Sequence, residues 1–241
     1  MFFFNELNEL RERISLWLFL FLLVSVLFFI FPTTDPFSIW FLERIQKDLL
    51  PENTQLIVLS PISGFLIQAA SALFLGFIAT IPLLIFQALG FILPALYEKE
   101  KKTLIKILIP SVILFLGGCA FSYFFLIPFT FDILYSFTLS VGALPLFEFN
   151  SFLGLVLGLI MGSGILFLLP IFMVSLSLMG AVEADFWKKQ SGNAIFSFVL
   201  ISAIVTPDGT GITMLILTAA LTLLYFSGYL VIKTLKRSQE N

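Results

Sequence analysis

Two short charged segments hold most of the side chains in this sequence that could recognise a ligand or carry a proton. Residues 6–13 read Glu-Leu-Asn-Glu-Leu-Arg-Glu-Arg, and residues 97–102 read Tyr-Glu-Lys-Glu-Lys-Lys. On pattern alone each is a solvated charged cap beside an apolar run. The functional alternative is that one carboxylate from each segment faces a shared groove and receives a cation. A guanidinium suits that role best, because it pairs with carboxylates bidentately. Within the apolar runs the main strongly polar side chains are Gln68 and Gln87, and hydrogen bonding between helices is their plainer role. Asp208, in the turn Thr206-Pro207-Asp208-Gly209, is a carboxylate whose plainer role is to cap that turn or the helix after it. Gly154, Gly158 and Gly162 form two overlapping Gly-x-x-x-Gly steps with Gly164 beyond, a signal for close helix packing.

Much other chemistry is excluded by what the chain lacks. It has no histidine and one cysteine, Cys119, which removes His-ligated haem, zinc sites, Ser-His catalysis and an intrachain disulfide. No Gly-x-x-x-x-Gly-Lys-Ser/Thr loop is present, so the usual phosphate cradle is missing. Thirteen Lys and Arg against fifteen Asp and Glu leave no basic surface for a nucleic-acid backbone. Neither a metal nor a cofactor is expected.

The elements that must position these residues are membrane helices. Of 241 residues, 59% are hydrophobic and 12% charged, with a mean hydropathy of +1.08, far from the composition of a soluble domain. A spanning helix takes about 20 apolar residues, and six runs qualify as candidates: roughly 14–32, 60–94, 104–128, 151–179, 193–206 and 212–232. The first ends in bulky residues without a small-residue cleavage pattern and reads as a retained span. The second is long for one span and short for two. Charge decides it: with six crossings, Arg11, Arg13, Lys99, Lys101, Lys102, Lys106, Lys188, Lys189, Lys233, Lys236 and Arg237 all fall on the cytoplasmic side, leaving Arg44 and Lys47 outside. This matches the positive-inside bias and makes the second run one tilted or protruding helix, with Pro82 as a kink.

The expected fold is therefore an all-α membrane protein with six transmembrane helices and both termini in the cytoplasm, residues 1–241 forming a single polytopic domain. A short interfacial helix is expected over 35–50 in the first outer loop. Asp35 would cap it, Pro36 would open it, and Phe37, Trp40, Phe41 and Ile45 recur at helical spacing. Residues 129–150 are expected to form a re-entrant or interfacial cap.

These residues together resemble the TatC family, the multi-span receptor subunit of the twin-arginine protein translocase. Leu7-Asn8-Glu9-Leu10-Arg11-Glu12-Arg13 is similar to the family's Leu-x-Glu-Leu-Arg-x-Arg. Pro82, Gln87 and Phe91, leading into Pro94-Ala95-Leu96-Tyr97-Glu98-Lys99-Glu100-Lys101, resemble its signature after the second helix. Further matches are Ser60-Pro61, Phe115, Gly117, Phe121, Tyr123 and Pro128, then Gly164, Phe167, Pro170, Thr206-Pro207-Asp208 and Tyr225, in order along essentially the whole chain. The chain departs from the family where Ser63, Leu168 and Phe226 replace residues that are usually acidic, or at the second position acidic or amide.

The resemblance implies a receptor, not an enzyme, that binds twin-arginine signal peptides at the cytoplasmic face through Glu9 and Glu100. Leu10, Arg11, Arg13, Gln87, Phe91, Pro94, Leu96, Tyr97 and Asp208 would stand as supporting motif positions. It also implies single-span TatA/TatB-like subunits as partners in an oligomeric complex, folded proteins as cargo, and the protonmotive force as the energy source. The membrane would be the bacterial inner membrane, with the thylakoid or mitochondrial inner membrane as alternatives. Two rival readings remain open: a secondary transporter of small solutes, which would need a polar midplane site, and a degenerate TatC paralogue acting as a scaffold, suggested by Ser63, Leu168 and Phe226. The topology has a direct test. A Lys101→Cys protein should react with a membrane-impermeant thiol reagent only from the cytoplasmic side, and labelling from outside would overturn the one-helix reading of residues 60–94.

Overall fold

Apolar runs in lipid become helices because no water is present to take up a free backbone N–H or C=O. The computed structural model describes residues 2–50, 54–92, 101–142, 146–207 and 211–240; over 2–10, 90–92, 101–106 and 236–240 and at Arg13 the description is of the backbone. The helices are α1 (Phe2–Ile30), α2 (Phe37–Leu49), α3 (Ser63–Ile92), α4 (Lys101–Phe121), α5 (Ile127–Ser140), α6 (Phe149–Leu166), α7 (Leu169–Leu178), α8 (Ala184–Lys189), α9 (Ser191–Val205) and α10 (Ile212–Glu240). Two three-residue strands, β1 (Gln55–Ile57) and β2 (Leu146–Glu148), pair in parallel with Gln55 opposite Leu146.

Among the described residues four stretches are long and apolar enough to cross a membrane: Ser63–Leu89, Ile107–Ser140, Phe149–Leu178 and Ile212–Leu235. The apolar helices Ile14–Ile30 and Ser191–Val205 are shorter; at about 1.5 Å per residue the second reaches roughly 22 Å. The chain divides into two compact units, one of Met1–Leu108 with Pro145–Gly154 and one of Ile109–Leu144 with Leu155–Asn241.

In the first unit α1 and α3 run antiparallel. Phe29 meets Phe65, Gln68 Nε2 donates to the Phe29 carbonyl at 3.2 Å, and Phe21 and Trp17 both meet Phe77. Rising numbers on one helix thus pair with falling numbers on the other. Close approach is possible because Gly76 is buried against Ser25: a Cβ at Gly76 would collide with the Ser25 hydroxyl and lie 3.0 Å from its Cα. The long helix expected over 60–94 is found as α3, with Pro82 inside it. Gln68 has the helix-to-helix role assigned to it.

Several expectations are corrected here. Asp35 does not cap α2; the N-cap residue is Pro36, without a side-chain cap bond. The buried face of α2 is Ser38, Leu42, Ile45 and Leu49, whereas Phe37 and Trp40 are 48% and 58% exposed. The third run does not stop at 128. A π-helical turn, Ser122–Leu126, joins α4 to α5 and carries the helix to Ser140, with Pro128 just after that turn. Residues 129–150 are therefore mostly helix and strand. The fourth run is broken after Leu166, because Pro170 can neither donate one turn back nor leave its predecessor comfortably helical, and α7 restarts with that proline in its first turn.

In the second unit α4 and α6 approach closely, at positions other than the Gly-x-x-x-Gly run. A Cβ on Gly118 would lie 2.6 Å from the Ser163 carbonyl, and one on Gly164 would lie 2.8 Å from the Phe115 ring and 2.9 Å from Cys119 Sγ. Gly158 has nothing within 4 Å of such a Cβ, and Gly162 only an ordinary contact with Val205 at 3.5 Å. Replacing Gly164 by Val should therefore lower stability by about 1–3 kcal/mol through overpacking. Gly158→Ala should stay within about 0.5 kcal/mol of wild type. Thermal unfolding of the purified proteins in one detergent checks both.

Candidate functional site

Of the residues proposed to read the signal peptide, the structure brings some to one end of the first unit. Glu9, Leu10, Arg11 and Arg13 lie on α1, where Arg11 and Glu12 are exposed. Gln87 and Phe91 lie near the C-terminal end of α3. Antiparallel packing puts the start of α1 and the end of α3 at the same end of that unit. Gln87 is buried, and its Oε1 has no hydrogen-bond partner among the described residues. Pro94, Leu96, Tyr97, Glu100 and Asp208 lie outside the described residues, and so does the expected capping role of Asp208.

At the opposite end of α3 stands the first departure from the family pattern. Ser63 is buried and accepts a hydrogen bond from Asn150 Nδ2 at 3.0 Å. This ties the first turn of α3 to the first turn of α6, just after the β1–β2 pair. A neutral hydroxyl–amide pair thus occupies a place where the family pattern carries an acid. Sequence reasoning missed Asn150, because a partner 87 positions away leaves no local pattern.

A second cluster was likewise not foreseen. In the second unit Trp187 Nε1 donates to Ser177 Oγ at 2.9 Å, and the Tyr225 hydroxyl donates to the Trp187 carbonyl. The Tyr225 ring also meets Trp187 and Phe198 edge-on. These bonds fasten α8 to α7 and α10. Beside them is a pocket of about 360 Å³ lined by residues that include Val174, Ser177, Leu178, Glu183, Ile232 and Leu235. Phe226, the third departure, is 44% exposed next to Tyr225; Leu168 is the N-cap residue of α7, in the break between α6 and α7. Tyr225→Phe should remove one part-buried hydrogen bond, costing about 0.5–1.5 kcal/mol in thermal unfolding. Phe226→Tyr, on the exposed neighbour, should cost less than about 0.5 kcal/mol.

Comparison with known proteins extends the likeness over the whole chain. A family model described as Sec-independent protein translocase protein (TatC) matches residues 5–219. The chain is 31% identical over 214 residues, 88% of its length and 81% of the relative's, to the Sec-independent protein translocase protein TatC of Cenarchaeum symbiosum (strain A). It is also 31% identical over 233 residues, 97% of its length and 88% of the relative's, to the uncharacterized tatC-like protein ycf43 of Pyropia yezoensis. A solved structure described as the twin arginine translocase receptor TatC superposes with a TM-score of 0.79 at 30% identity, covering 95% of this chain and 98% of that one. The chain is an integral membrane protein that belongs to the TatC family and is a component of the Sec-independent protein translocase.

Proposed function

We propose that this chain is the receptor of its translocase, binding twin-arginine signal peptides through Glu9 and Glu100 at the cytoplasmic face. In this reading residues 1–241 form one polytopic domain of six crossings with both termini in the cytoplasm. The chain works with other Tat subunits, recruiting single-span TatA/TatB-like proteins. Folded cargo then crosses at the expense of the protonmotive force, with no covalent change made by the chain itself.

The observation that carries the reading is the antiparallel packing of α1 on α3. Glu9 precedes the apolar part of α1, and Glu100 follows α3 in sequence, outside the described residues, so the start of α1 and the end of α3, which share one end of the unit, are the elements that flank the two carboxylates in the chain. Gln87, buried toward that end with a free amide oxygen among the described residues, adds a neutral acceptor. Two carboxylates and an amide suit a pair of guanidinium groups, each with five N–H donors and a permanent charge. Lys99, Lys101 and Lys102 repel such a ligand, so Glu100 must point away from them into the groove. Recognition through a few placed acceptors also tolerates Ser63, Leu168 and Phe226, none of which belongs to these motifs.

Site-specific crosslinking of a twin-arginine signal peptide to this subunit tests the site. Glu9→Gln and Glu100→Gln should each weaken capture about tenfold, the scale of one hydrogen bond to a charged group. The double change should differ from the product of the two, because both carboxylates address one ligand. Glu6→Gln, Glu12→Gln and Glu98→Gln should matter less; equal sensitivity of all five would mean a diffuse acidic surface. Export of a twin-arginine reporter in cells lacking their own TatC tests the rest. Normal capture without export would favour the scaffold reading.

A further inference from the structure

We infer that the exposed face of α2 is a binding site for the headgroup of an aminophospholipid, with phosphate held at Lys47 and Arg44 and ammonium at Glu43. The first observation is one of placement. Phe37 packs edge-on against Phe28 of α1 with ring centres 5.6 Å apart, and Phe41 stacks on Phe74 of α3 at 5.3 Å. Phe28 stands two residues before the end of α1 and Phe74 three turns into α3, so α2 starts beside the end of α1 and runs along the apolar part of α3. With one side buried through Ser38, Leu42, Ile45 and Leu49, the other side faces out, away from the helix pair.

The second observation is what that outer side carries. Phe37 and Trp40 are exposed at the N-terminal end, followed by Glu43, Arg44 and Lys47 at steps of three and four residues. Side chains at these steps stand over one another on a helix. The sequence therefore runs from aromatic to charged along a single stripe, as a phospholipid runs from acyl chain to headgroup, and Trp is favoured at that boundary. Trp40, Glu43, Arg44 and Lys47 line one shallow groove of about 150 Å³.

The third observation selects the headgroup. Arg44 Nε is held by Asp48 Oδ2 at 2.8 Å, which fixes its guanidinium in place. Glu43 and Lys47 have the spacing that commonly forms an ion pair, yet neither has an ionic or hydrogen-bonded partner among the described residues. An anion and a cation left open on one groove complement a zwitterion. A phosphate diester fits the cationic side, and a primary ammonium can donate hydrogen bonds to Glu43. A trimethylated ammonium cannot donate, and a glycerol headgroup brings no positive charge. Arg44 and Lys47 are also the two basic residues outside the four basic clusters of the chain.

The full chain, purified in detergent, can be titrated in separate arms with phosphatidylethanolamine, phosphatidylcholine, phosphatidylglycerol and soluble phosphoethanolamine, and bound molecules counted by native mass spectrometry. Phosphatidylethanolamine should be retained at about fivefold lower concentration than the other two lipids, the scale of one partly exposed charge interaction. Glu43→Gln should abolish the preference over phosphatidylcholine, and Lys47→Gln should weaken retention of all three lipids. Glu183→Gln, far along the chain, should change nothing. Equal retention of the three lipids, or a preference untouched by both α2 variants, overturns the proposal. Soluble phosphoethanolamine binding as well as the lipid would make the groove a site for a free phosphate ester instead. A dimer that Glu43→Gln and Lys47→Gln dissolve would make it a contact between copies of the chain.

Discussion

A polar group that enters the hydrocarbon without a partner costs several kcal/mol, and most of this molecule is arranged around that cost. Each apolar run meets it by becoming a helix. Several of the hydroxyls follow the same logic: Ser25, Ser71, Thr80, Thr130 and Thr222 each donate to the carbonyl four residues earlier on their own helix, and Thr206, just past the end of α9, donates to the Ser202 carbonyl. A side chain bonded in this way makes little demand on a neighbour and exerts little hold on one. Polar groups do reach across between elements among the described residues, from Gln68 to Phe29 and Asn150 to Ser63 in the first unit and from Tyr225 to Trp187 and Trp187 to Ser177 in the second.

Shape supplies the remainder. Apolar side chains gain little from leaving lipid for one another, so helix contact in a membrane rests on close fit. Gly76 against Ser25, and Gly118 and Gly164 against neighbours on the facing helix, let backbones come within side-chain distance. Around these points aromatic rings fill the space, as Trp17 and Phe21 do over Phe77. The same economy bears on the first unit, where α1 and α3 are fastened along their apolar lengths.

The departures at Ser63, Leu168 and Phe226 have different structural settings. Ser63 is bonded to Asn150, Leu168 stands in the break that Pro170 imposes, and Phe226 faces outward beside a fastened tyrosine. Only the first retains a polar interaction across elements.

Hydropathy and charge, which are sums over many residues, were enough to place six apolar segments, to recognise α3 as one long helix and to find α2 within 35–50. The motifs Leu7–Arg13 and Pro94–Lys101 also carried the family likeness without coordinates. What the sequence left open was every relation set by one contact. The choice between Gly158 and Gly164 as the tight spot depends on which face meets a neighbour, and the two glycines are alike in sequence. The break before Pro170 and the unbroken passage through Pro82 are likewise not told apart by the two prolines themselves. The outward turn of Trp40 goes with the burial of Ser38 and Leu42 on the other side of α2, and the β1–β2 and Ser63–Asn150 pairs join positions some ninety residues apart. Local composition fixes that a segment is a helix, because the backbone must satisfy itself. Which side of that helix is covered is a property of its neighbours, and only the tertiary structure contains them.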